Sequence, residues 1–135
     1  MEAARFEVKM LRALLVLTSL LGYLEWPGGN AMFIAQLEWQ FMIKLSTHPE
    51  ELAHPFIVLP FLGQFLLIVS CFMKIPAFRL IWFGVTLLSL IMLMLMFIAL
   101  MSRNRTMLVF TLPFFVLSFT LFRAIRKSKR IRKTG

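Results

Sequence analysis

The chain predicts an all-α integral membrane protein, with four transmembrane helices and an interfacial amphipathic helix in the first outer loop. Three observations predict it. Hydrophobic residues fill 60% of the 135 positions, including 15 Phe and 10 Met, and only 16% are charged. The mean hydropathy is +0.84, whereas a soluble domain needs polar cover and runs nearer about 45–50% apolar. The apolar residues gather into four runs, and the cations are spread very unevenly around them. A soluble enzyme, a secreted disulfide scaffold and a disordered tail are excluded, and a chain of this length makes one membrane domain over 1–135.

The first run predicts a span over 10–26. Only 12 residues between Arg12 and Glu25 are uncharged, but Arg12 can snorkel at one end and Tyr23 and Trp26 supply interfacial aromatics at the other. Gly29-Asn30-Ala31 imitates a signal-cleavage site, yet Glu25, Trp26 and Pro27 crowd the positions before it, so the segment is expected to be retained. The second span is expected at 56–73, uncharged and interrupted by Pro60, Gly63 and Gln64, which neighbouring helices tolerate. The third, 80–101, holds 22 residues without a charge, enough to cross a hydrocarbon core at about 1.5 Å per residue. The fourth, 106–122, carries Pro113 in its middle and leads into a basic tail, 123–135.

With the N-terminus inside, twelve cations fall on the inner side of this threading and three, Lys44, Arg103 and Arg105, on the outer. That asymmetry places both termini in the cytoplasm.

The outer loop 27–55 begins with Pro27-Gly28-Gly29-Asn30, which breaks the first helix and offers Asn30 as the cap of a second, expected over 31–45. At 100° per residue, Gln36, Gln40 and Lys44 form a polar stripe. Ile34, Phe41, Met42 and Leu45 form the apolar face, so the helix should lie in the membrane interface. Glu38 projects near the centre of that apolar face, about 200° from Gln36.

Glu38 is accordingly the leading site candidate, because an ionisable group aimed at apolar surroundings must be paired, protonated or used. The threading offers Arg103, Arg105, Gln64, His48 and His54 as partners, and a salt bridge to an arginine is the first expectation. Glu25, beside Trp26, reads as a headgroup-level carboxylate that can join the same outer polar site. Thr47-His48-Pro49-Glu50 has the form of a capping box, which assigns Glu50 and Glu51 to a helix start. His48 and His54, six apart with Pro49 between, match no standard metal spacing. Met92 and Met96 share a helix face but read as packing rather than a copper site.

The six acidic residues are all glutamate, which removes Asp-based phosphotransfer motifs, and neither G-x-S-x-G nor G-x-x-x-x-G-K-[ST] occurs. The single cysteine, Cys71, reads as a small hydrophobe. No catalytic residue, metal or cofactor is expected. The basic tail, with Arg126, Lys127, Lys129, Arg130, Arg132 and Lys133, follows directly on a span. It should therefore meet anionic lipid, at about 1 kcal/mol per cation, rather than nucleic acid.

The strings Tyr23-Leu24-Glu25-Trp26, Gly28-Gly29-Asn30, His54-Pro55-Phe56 and Leu59-Pro60-Phe61-Leu62-Gly63-Gln64 resemble those of small integral membrane proteins of Bacteroidota-type bacteria. The resemblance implies a bacterial inner membrane and brings no activity or catalytic residues with it. The functional expectation is a non-enzymatic accessory or scaffold subunit of a larger membrane assembly, touching lipid and either other subunits or copies of itself. The alternative is a binder or transporter of an ion or small molecule through an outer site of Glu25, Glu38, Gln64 and His54. Third comes a membrane-embedded enzyme using Glu and His as acid and base.

Overall fold

The computed structural model describes residues 2–45, 47, 55–73 and 78–134. Over these the chain forms helix α1 (Glu2–Leu20), a hairpin of β1 (Tyr23–Trp26) and β2 (Asn30–Phe33), and helices α2 (Ile34–Lys44), α3 (Pro55–Phe72), α4 (Phe78–Met101) and α5 (Arg105–Thr134). Helix α3 lies on α4 and α1 on α5, while α4 meets α5 and α1 meets α3. Leu15, Leu67, Ile81, Leu88, Met92, Met107, Phe114 and Leu121 fill the space between them.

The four-span expectation is corrected. Among the described residues two helices, Phe78–Met101 and the Arg105–Arg130 part of α5, are long and apolar enough to cross a membrane. Helix α1 is not, because Glu2, Arg5, Glu7, Lys9 and Arg12 occupy its first three turns. The run 10–26 also leaves the helix at Leu20, so its helical part covers only about 16 Å at ~1.5 Å per residue. Helix α3 contributes a shorter apolar stretch, Ile57–Phe72, close to 24 Å by the same rise.

The first loop departs from expectation as well. Tyr23–Trp26 pairs antiparallel with Asn30–Phe33 in the register Trp26↔Asn30 and Tyr23↔Phe33. Pro27, Gly28 and Gly29 remain as the three-residue turn, with φ of +104° and +76° at the two glycines, values that side chains rarely adopt. Asn30 is therefore a strand residue rather than a helix cap. The interfacial helix expected over 31–45 begins at Ile34, where the Phe33 N–H donates to Gln36 Oε1 at 3.0 Å. The Ile34 N–H donates to the Gly22 carbonyl at 2.8 Å, folding the hairpin back onto the end of α1. Tyr23, Phe33 and Phe110 then stack with centroid separations of 5.2–5.8 Å, which fixes the hairpin against α5.

Two further contacts set the architecture. Where α3 crosses α4, glycine faces glycine: a Cβ on Gly84 would lie 3.0 Å from the Gly63 carbonyl oxygen, and one on Gly63 would lie 2.9 Å from Leu88. Small residues at such a crossing allow the two backbones to meet, as membrane helix pairs require. At the α4–α5 turn, Asn104 N–H donates to the Ala99 carbonyl at 2.9 Å and Arg103 N–H to that of Leu100 at 3.3 Å. This is a Schellman close, with Arg103 at φ +53° in the place glycine usually takes. Asn104 Oδ1 then accepts from the Met107 N–H at 3.2 Å, capping α5. Helix α5 continues unbroken past Phe122, so the basic segment expected as a tail is its last three turns.

Candidate functional site

Helix α2 sits across α3 and buries two residues, Ile34 and Glu38, one turn apart. Phe41 stacks on Phe61 at 5.5 Å and anchors the helix, whereas Met42 and Leu45 are exposed, so the buried face is narrower than the helical wheel predicts. Glu38 lies at its centre and is 8% exposed. Its carboxyl hydrogen-bonds the side chain of Gln64, while Oε1 has no partner at all.

Gln64 is the hub. It is itself buried, from the middle of α3, and its Nε2 donates to Ser19 Oγ at 3.0 Å. Ser19 Oγ in turn donates to the Val16 carbonyl at 2.7 Å. The result is a polar line across three helices, α2 to α3 to α1, closed at the α1 end and open at Glu38. Burial drives the Glu38 carboxyl up from 4.5 to about 7, and the Gln64 hydrogen bond offsets only part of that rise. Such a group takes up or releases a proton near neutrality and suits a proton or cation more than an anion.

The other predicted residues are placed as follows. Glu25, on β1, accepts at Oε2 from Asn104 Nδ2 at 2.6 Å; it ties the hairpin to the α4–α5 turn and is not part of the Glu38 line. Arg103 and Arg105 are exposed at that turn, and burial and Gln64 are the two influences on Glu38, so the expected arginine salt bridge is absent. His48, His54, Glu50 and Glu51 lie outside the described residues. No three His, Cys, Asp or Glu side chains converge among those described. Arg126, Lys127, Lys129 and Arg130 are exposed on α5. Arg126 lies over the Phe122 ring at 4.0 Å and Lys129 over Phe78 at 4.8 Å, with Arg132 and Lys133 farther along the same helix.

Sequence reasoning missed Ser19 and Asn104, and it missed the setting of Arg12. The expected snorkelling arginine is instead 5% exposed. Its Nη1 donates to the Ser70 carbonyl at 2.5 Å and to Ser70 Oγ at 3.1 Å, and its Nε to the Val8 carbonyl at 3.1 Å. Serines carry little signal in a helix, since each of these hydroxyls is first satisfied by its own backbone. Asn104, just before a helix start, has the residue type and position of a cap and was legible on that ground.

What the fold and site define is a chain with two helices of membrane-spanning length and a buried polar line beside them. No protein-family model, curated protein or solved structure matches the chain.

Proposed function

We propose that the protein is a non-enzymatic membrane subunit, held in the bilayer by α4 and α5 and serving as an accessory or scaffold component of a larger assembly. One observation carries this reading: large apolar side chains cover much of the surface while polar and charged ones are buried between the helices. Phe65, Phe72, Phe83, Leu90, Phe97, Val109, Val116 and Phe119 are all exposed, whereas Arg12, Ser19, Glu38, Gln64, Ser70 and Thr111 are buried. In water that arrangement is unfavourable on both counts. In lipid it is the ordinary one, because polar side chains act as glue between helices and apolar ones meet acyl chains. Helices α1 and α3 add apolar faces to the same belt as companions of the α4–α5 hairpin, without the length and composition of crossings.

The cationic ends of α1 and α5 lie together, since Arg5, Lys9 and Ser128 share one cavity, and the positive-inside bias assigns that end to the cytoplasm. Both termini are then cytoplasmic, the α4–α5 turn is external, and the basic end of α5 meets anionic lipid. The sequence resemblance noted above supports a bacterial inner membrane. Trp39 on α2, 69% exposed, together with Met42, offers a further apolar surface to a partner subunit.

Isolation from the native membrane in mild detergent tests the reading. It should return partner chains, or copies of this chain, in fixed stoichiometry. A monomer carrying only lipid would overturn it. The second reading, a binder of a proton or small cation at Glu38, is favoured by the unpartnered Oε1, and it predicts a pH- or ion-dependent melting temperature that Glu38→Gln abolishes.

A further inference from the structure

The end of the molecule opposite the α4–α5 turn holds a cavity of about 390 Å³, between the start of α1, the end of α3 and the end of α5. This falls within the range of small-ligand sites, roughly 300–1,000 Å³. Three cations of α1 line it: Arg5, Lys9 and Arg12. They stand at i, i+4 and i+7, so one helix face presents all three over two turns. Like charges at such spacing repel. Glu7, the acid nearest to them in sequence, projects about 200° away from Arg5 on the same helix. Across the cavity the facing groups are Cys71 of α3 and Ser128 of α5.

Arg12 is the most telling of the three. Its guanidinium is buried to within 5% and held rigidly by neutral oxygens of Val8 and Ser70. Among the described residues that line the cavity there is no Asp or Glu. A buried, oriented cation held by neutral oxygens at the wall of a cavity is a costly arrangement that an anion relieves. The opposite wall, from the end of α3 and the start of α4, is apolar, with Phe72 and Phe78. A ligand with an oxyanion at one side and hydrocarbon at the other fits both walls.

We infer that this cavity is a binding site for a phosphate oxyanion, with Arg12 as its fixed donor and Arg5 and Lys9 as closing charges. The phosphate can come from an anionic phospholipid headgroup or from a free phosphate compound. The lipid source rests on the membrane reading above; the free source does not. Neither depends on a partner subunit.

Arg5 and Lys9 are the residues to change, because both are exposed and bear no part of the packing, whereas Arg12→Gln would also remove the α1–α3 contact. The full chain, purified in neutral detergent, is offered phosphatidylglycerol or phosphatidylcholine in mixed micelles, and bound lipid is read by native mass spectrometry. In parallel its melting temperature is followed with inorganic phosphate against chloride at equal ionic strength. The wild type should retain phosphatidylglycerol selectively, and Arg5→Gln/Lys9→Gln should lower that retention roughly twenty- to thirtyfold, about fivefold per cation. The control Arg103→Gln/Arg105→Gln, which removes two exposed cations at the opposite end of the molecule, should retain it. A phosphate-specific rise in melting temperature, lost in the Arg5/Lys9 variant and without lipid retention, would identify the free compound as the source. If wild type and Arg5/Lys9 variant behave alike with both probes, or if the control loses as much lipid as that variant, there is no phosphate site in the cavity.

Discussion

Replacing Glu38 with Gln isolates the proton that burial imposes on the polar line. The carboxyl of the folded protein titrates at about 7, against 4.5 for the ordinary group. Its folded form therefore binds more protons than its unfolded form between those values. Stability is highest below about pH 4.5, falls as pH rises through the window, and levels off above about 7. Each pH unit of that gap is worth about 1.4 kcal/mol, so the carboxylate destabilises the folded chain at pH 8 by roughly 3 kcal/mol relative to acid conditions. Glutamine is neutral throughout and can keep the hydrogen bond to Gln64, so the variant should lack this slope and exceed the wild type in stability at pH 8. Thermal unfolding in one detergent, at steps from pH 4 to 8.5, gives the difference between the two curves, in which every other titrating group cancels. Parallel curves would refute the reasoning, for they would mean that water reaches Glu38 and solvates its charge.

The remaining expectations rest on the turns and crossings. Gly84→Val should destabilise the α3–α4 crossing by about 1–3 kcal/mol in thermal unfolding, since the new side chain meets the Gly63 carbonyl. Asn104→Ala removes both the α5 cap and the donor to Glu25, a loss of about 1–2 kcal/mol. Combined with Glu25→Gln it should cost less than the sum of the two single changes, because the pair shares one bond. Arg103→Gly should stabilise by about 1 kcal/mol, as glycine accepts the left-handed backbone without a Cβ clash. A cysteine replacing Ser102 should react with an impermeant thiol reagent in intact cells, whereas a reporter after Gly135 should stay shielded; the reverse pattern would invert the proposed orientation.

The uncharged run 80–101 was legible as a helix because nothing in it competes: no charge, no proline and no turn residue. The first run was not. Its uncharged residues 13–24 look continuous, but Gly22 divides them between a helix and a strand. A period of 3.6 and a period of 2 cannot be told apart over so few residues. A hairpin signal, a glycine pair between Tyr-Leu-Glu-Trp and Asn-Ala-Met-Phe, is present in the sequence, but the same residues also read as a helix break with Asn30 as a cap. Glu38 shows the same division at the site. Its burial follows from its angle on one helix, a local property. Its partner is set by how α2 crosses α3, and sequence spacing carries no information about a contact 26 positions away.

The unbroken course of α5 makes the basic end of the molecule a stiff rod rather than a tether. Thirty helical residues extend about 45 Å at ~1.5 Å per residue, and Leu121, Ala124 and Ile125 remain buried while Arg123, Arg126 and Lys127 face outward one turn at a time. Their phase is thus locked to the packed face of the same helix. A flexible tail would let each cation find a phosphate independently. Here they move together, and a change of tilt at the capped Asn104 end is transmitted along the whole length to the cations.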